Sequence, residues 1–180
     1  MTAEYAVRSF MLPVGERYCV LVHVASGAPL YHPNLFVTTQ IRNGSKSVAT
    51  MEAALSAIKV LLIFCAEANV NLERRILTRE FLTLAEIDSL RDACQAPLKF
   101  VSNASPRTTK RLSIAGSRVG LAHEYIRLTY LTDYLSWLAG NLLGTRLDER
   151  SALQLRAFIS AIKARRPMRK GRNAQSKVNR

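Results

Sequence analysis

The sequence predicts a mainly α-helical protein with a small N-terminal β hairpin or flap, from three observations. Two long segments, residues 48–68 and Leu121–Leu143, repeat apolar side chains at three- and four-residue steps, the spacing that lines one face of an α-helix. Residues 1–32 instead read as extended chain punctuated by Pro13, Gly15, Gly27 and Pro29, as strands and turns do. At 180 residues, 48% of them hydrophobic, the chain can bury a true core and is not disordered throughout.

In the N-terminal flap, residues 4–12 and 17–25 are the strands and Pro13 to Glu16 the turn. Tyr18, Val20, Val22 and Val24 share one face, and Cys19, Leu21 and His23 the other. Ser26 to Pro29 turns the chain again, and His32-Pro33-Asn34 is a break. The helical domain is expected over 33–166, opening with a short helix, in preference to a strand, at 35–41.

Ser47 then N-caps the central helix. Val48, Met51, Leu55, Ile58, Leu62 and Cys65, widened by Ala54 and Leu61, form a stripe that belongs in a core. Residues 69–71 are a polar exit, and Thr78 is expected to cap a short turn carrying Phe81 and Leu82. Thr83 and Glu86 fit a capping box, opening a helix from Leu84 to about Cys94 with Leu84, Ile87, Leu90 and Ala93 or Cys94 inward. Pro97 ends it. Residues 98–120 lose the pattern and read as a basic, hydroxyl-rich loop.

Leu121, Tyr125, Leu128, Leu131 or Thr132, Leu135, Leu138 and Leu142 mark the second principal helix. Arg127, Tyr130, Tyr134 and Trp137 fall on a neighbouring face. Base stacking is conceivable there, but such aromatics more often belong to a core or interface, and Arg127 is placed to pair with Glu124. Gly144 closes this helix. Asp148 caps the last one, running to about Arg165 with Ala152, Leu155, Ile159 and Ile162 inward. Residues 167–180 are a basic disordered linker or tail.

The net charge of +13 is unevenly placed. Lys99, Arg107, Lys110, Arg111 and Arg118 lie in one stretch with no acid, and eight cations lie between Lys163 and Arg180, again with none. The remaining cations equal the acids in number, so two local segments carry the whole excess. A solubility surface spreads and mixes its charge; this distribution suits a polyanion such as nucleic acid. Arg42, Lys46 and Thr50 beside the Ser47 cap surround a positive helix end that suits a phosphate.

Other classes are disfavoured. No unbroken apolar run is long enough to span a bilayer and no signal pattern opens the chain, so a cytoplasmic protein without a membrane partner is expected. Cys19, Cys65 and Cys94 are odd in number and widely spaced, as reduced structural thiols are. His23, His32 and His123 make no metal-ligand spacing, and no phosphate loop or nucleophile elbow occurs, so neither cofactor nor self-sufficient active site is expected.

The run Pro33-Asn34-Leu35-Phe36, then Arg42-Asn43-Gly44-Ser45-Lys46-Ser47-Val48-Ala49-Thr50, then the central helix to Phe64-Cys65, resembles the N-terminal core-binding region of tyrosine recombinases, the phage-integrase family. Ser47 and Thr50 occupy that family's Ser-x-x-Thr helix start. Residues 125–139 resemble its later helix, and residues 165–177 its basic interdomain linker. The resemblance implies a SAM-like helical bundle that grips one face of a recombination site in duplex DNA, with other recombinase protomers as further partners. It implies DNA contacts from Arg42, Lys46, Ser47 and Thr50. From charge and position, Arg107, Lys110, Arg111, Arg118, Arg127, Arg165, Arg166, Arg169, Lys170 and Arg172 join them. The family's catalytic tyrosine, arginines and histidine lie beyond the linker, and no position here matches them, so the expectation is a non-catalytic front portion or truncated product of an integrase-like gene. The alternative is a non-enzymatic helical protein-interaction module with a basic tail, recognisable by an exposed patch around Tyr130, Tyr134 and Trp137.

Overall fold

The computed structural model describes residues 4–98, 118–146 and 148–168. Strands β1 (Tyr5–Met11) and β2 (Arg17–His23) form an antiparallel hairpin with Tyr5 opposite His23 and Met11 opposite Arg17. Its turn closes through Leu12 N–H to the Glu16 carbonyl at 2.8 Å, and Gly15, at φ 81°, takes the left-handed position that glycine tolerates. Cys19 and Leu21 are buried as one face, but Val22 of the opposite face is buried too, because the returning chain bridges it through Pro29. The outer edge of β2 is closed by a side chain and the returning backbone together. Asn34 Oδ1 accepts from Leu21 N–H at 2.8 Å, and Asn34 Nδ2 donates to the Leu21 and Leu30 carbonyls at 2.9 and 2.6 Å. The returning backbone shares the task, Leu30 N–H donating to the Leu21 carbonyl and His23 N–H to the Ala28 carbonyl, both at 2.9 Å.

Helix α1 (Tyr31–Phe36) begins where the sequence suggested a break. Pro33 lies in its first turn, where a missing N–H costs nothing. The chain continues as a π-helical turn, Val37–Arg42, so the 35–41 segment is helical as expected. Ser47 then caps α2 (Val48–Glu67), its Oγ accepting from Thr50 N–H at 3.3 Å.

Helix α2 is more than a helix with one apolar face. From Ala54 to Cys65 it is buried on nearly all sides. This 20-residue helix, with a mean hydropathy of 1.9 over an 18-residue window, is apolar enough to cross a membrane even though Glu52, Ser56 and Lys59 interrupt the run. Here that surface is covered by protein. The hairpin, α4 (Leu84–Gln95) and α5 (Leu121–Leu143) all pack on it, and hairpin and helices share one core. Replacing Leu61 by alanine in such a site typically costs about 2–5 kcal/mol.

Residues 69–71 are not merely an exit, because Asn71 caps a further helix, α3 (Leu72–Thr78), by accepting from Arg74 N–H at 2.9 Å. Thr78 is therefore the last residue of a helix and not a cap; Arg79, at φ 63°, ends it. The capping box of α4 forms as expected, with Thr83 N–H donating to Glu86 Oε2 at 2.7 Å and Glu86 N–H to Thr83 Oγ1 at 3.3 Å. Leu84 and Leu121, both expected inward, are 62% and 61% exposed. Each is the first residue of its helix, projecting past the layer it packs against. Asp148 caps α6 (Glu149–Ala164), which buries Leu155, Ile159 and Ile162 and also Phe158, stacked on Phe81 at 5.1 Å.

Candidate nucleic-acid interface

The start of α2 gathers Arg42, Lys46, Ser47 and Thr50, but not as four open contacts. The Arg42 guanidinium is held by Glu16 in the hairpin turn, Nε to Oε1 at 3.0 Å and Nη2 to Oε2 at 2.6 Å, and lies 5.4 Å from the centre of the Tyr18 ring. The hydrogen bond from Arg42 holds the Glu16 carboxyl below its usual range. Beside this pair Tyr18 donates to Thr38 Oγ1, which donates on to the Asn34 carbonyl at 2.8 Å. Arg42 is thus a clasp between the hairpin and the π turn, because its charge is matched within the protein.

Ser47 and Thr50 bond each other at 3.0 Å. Lys46 is exposed with no ion-pair partner among the described residues, and the first turn of α2 has no acid. It is the cation that stands open at this helix end.

Arg127 also proves structural. It does not pair with Glu124; its Nη1 donates to the Cys94 and Ala96 carbonyls, both at 2.7 Å. Burial lowers its pKa. Glu124, 4% exposed, instead accepts from Gln95 Nε2 at 3.0 Å. Arg165 donates to Asp88 at 2.9 Å and to the Ala161 carbonyl at 3.1 Å. Arg166 donates to Thr132 Oγ1 at 2.6 Å and lies 5.7 Å from the Tyr125 ring, with its Nε buried and without a hydrogen-bond partner among the described residues. These two residues pin the point where the C-terminal segment leaves α6. Arg118 is exposed just before α5, where Val119 N–H meets the Gln95 carbonyl at 3.0 Å. Arg107, Lys110, Arg111, Arg169, Lys170 and Arg172 lie outside the described residues.

The aromatic face of α5 is core. Tyr134 is buried against Phe36 at 5.4 Å, and Trp137 packs on the same ring at 5.5 Å. With Tyr130 also packed against the core, these residues form no exposed apolar patch. A cavity of about 300 Å³ between β1, α2, α3 and α5 is lined by Tyr5, Cys65, Asn71, Glu73 and Tyr134 among others. Its carboxylate, Glu73, is bonded to His32 Nδ1 at 2.7 Å.

Cys19, Cys65 and Cys94 are free and buried. Burial pushes their thiols up to about 11, 12 and 12 respectively. Among the described residues no three His, Cys, Asp or Glu side chains could hold a metal ion together.

Two further cations carry no signal in the sequence pattern. Arg8 and Arg17 are exposed on the hairpin, without an ion-pair partner among the described residues. Arg8 shares a strand face with Phe10, a pairing that alternation reveals once β1 is placed. No family model matches the chain, and neither the curated proteins nor the solved structures give a match.

Proposed function

We propose that the protein is a non-catalytic DNA-binding domain that grips duplex DNA through its backbone phosphates, in the manner of the tyrosine-recombinase core-binding region that its sequence resembles. The observation that supports this best is how the charge is divided. Outside 99–118 and 163–180 the formal numbers of cations and acids are equal, and Arg42, Arg75 and Arg91 are ion-paired with Glu16, Glu86 and Asp92. The excess lies in two acid-free stretches, 99–118 and 163–180. A chain whose formal charge balances outside two acid-free basic stretches fits a polyanion held by counterion release.

Within this reading Lys46 contacts a phosphate at the start of α2, and Arg107, Lys110, Arg111 and Arg118 contact others. Arg42 acts one step back, holding the hairpin in place. Arg165 and Arg166 aim the following segment, and Arg169, Lys170 and Arg172 meet the backbone beyond it. Further recombinase protomers and a cytoplasmic setting belong to the same proposal.

The test is duplex affinity against salt, by fluorescence anisotropy, from about 50 to 200 mM. Log K is expected to fall linearly with log salt. Replacing Arg169, Lys170 and Arg172 with glutamine reduces the slope by about 0.9 for each phosphate that is no longer neutralised. Binding that ignores salt, or no binding at the low end, overturns the proposal.

A further inference from the structure

On the outer face of the hairpin, Arg8, Phe10 and Tyr18 are grouped by the strand register, Phe10 lying directly opposite Tyr18. The Phe10 and Tyr18 rings are 5.6 Å apart, and the Arg42 guanidinium lies 5.4 Å from the Tyr18 ring. This makes a short row of guanidinium, ring and ring, with the two rings tilted 53° to each other. Its inner members are held by the Glu16 ion pair and the Thr38 hydroxyl. Its outer member is open: Phe10 is 45% exposed, although a phenyl ring gains most from burial.

The charge around the open ring has one sign. Arg8 stands on the same face, exposed and without an ion-pair partner among the described residues, whereas Arg17, opposite Met11 at the tip, alternates to the other face with Cys19. The one acid near the tip, Glu16, is matched by Arg42. Glu4 precedes the far end of β1, and Glu52 acts on Cys19, on the opposite face. A protein partner would need to bring its own acids to this surface, whereas a nucleic-acid strand brings phosphates and a flat base together.

We propose that this face of the hairpin is a stacking platform for an unpaired base, with Phe10 receiving the base and Arg8 a flanking phosphate. Exposed rings interleaved with arginines are the chemistry that holds single strands, because every base has a π face. The inference rests on the nucleic-acid reading above and adds to it a strand state: locally unpaired, in preference to fully paired. The platform needs no rearrangement, since the Glu16–Arg42 and Tyr18–Thr38 contacts already fix its orientation.

The experiment uses the full chain and two labelled probes, a fully paired duplex and the same duplex carrying a short bulge of unpaired thymines. Wild-type protein is expected to prefer the bulged probe about tenfold, the scale of one base–aromatic stack. Phe10→Tyr keeps the preference. Phe10→Leu, which stays apolar but cannot stack, loses it while binding the paired duplex as before. Phe10→Ala does the same provided its circular dichroism is native; if it unfolds, the leucine and tyrosine variants decide. Equal binding of both probes by wild type, or a preference that survives in Phe10→Leu, overturns the platform alone. If neither probe binds, the nucleic-acid reading itself falls. If Phe10→Leu instead changes sedimentation and there is no bulge preference, the face is a protein contact and the platform is likewise overturned.

Discussion

One nitrogen of Arg127 bridges the end of α4, donating to the Cys94 and Ala96 carbonyls at 2.7 Å each. The last carbonyls of a helix have no partner within it, and here a residue from α5 supplies one. Arg127→Ala is expected to cost about 1.5–3 kcal/mol in urea unfolding, the worth of hydrogen bonds from a charged donor, and Arg127→Lys to recover part of it. DNA affinity, measured where both variants are folded, should not change.

Arg42 and Lys46 separate in a similar experiment. Because Arg42 and Glu16 act as a pair, Arg42→Ala and Glu16→Ala should perturb the hairpin alike, and the double variant should be no worse than either. Lys46→Ala should leave unfolding unchanged and lower the salt slope of duplex binding by about 0.9. Full additivity between the Arg42 and Glu16 variants contradicts the clasp.

What the sequence discloses is local. The extents of α2 and α5, the Ser47 and Asp148 caps and the Thr83–Glu86 box all depend on residues within a turn of each other, so spacing suffices. Helix α3 escapes because only Leu72 and Ile76 of its seven residues are buried, too few to make a period. The site residues are harder. Arg42 and Glu16 are 26 residues apart, and Arg165 and Asp88 are 77 apart; charge counting sees an arginine in each case, and only the fold shows its carboxylate. Phe10 is hidden for the opposite reason, since its role depends on the cross-strand neighbour Tyr18.

The acid limb of stability follows from those carboxylates. Arg42 and Arg165 lower Glu16 and Asp88 through hydrogen bonds, and Ser151 lowers Asp148. For Glu86, burial raises the pKa, but the Arg75 and Thr83 hydrogen bonds outweigh it and the net shift is downward. A depressed folded pKa contributes stability above the unfolded value and loses it as pH falls through the folded one. The melting temperature should therefore hold from neutral pH to about 5 and decline below about 4. Glu86→Gln should start lower at neutral pH and decline less in acid.

The three thiols offer a test of core integrity. With Cys19, Cys65 and Cys94 buried and shifted up, none should react with a disulfide reagent near neutral pH in the native protein, since the thiolate is the nucleophile. All three should react in denaturant. Rapid native labelling of Cys94 would mean that the α4–α5 contact opens readily.

The burial of α2 has a consequence for how the protein is made. The hairpin that covers one side of this helix precedes it on the chain, but α4 and α5 follow it. During synthesis an apolar segment as greasy as a membrane span leaves the ribosome before its largest helical partner, α5, has been translated. The interval is on the order of seconds. In that window the nascent chain is a natural client for chaperones and for the membrane-targeting machinery. The hairpin, already complete, is its first shelter.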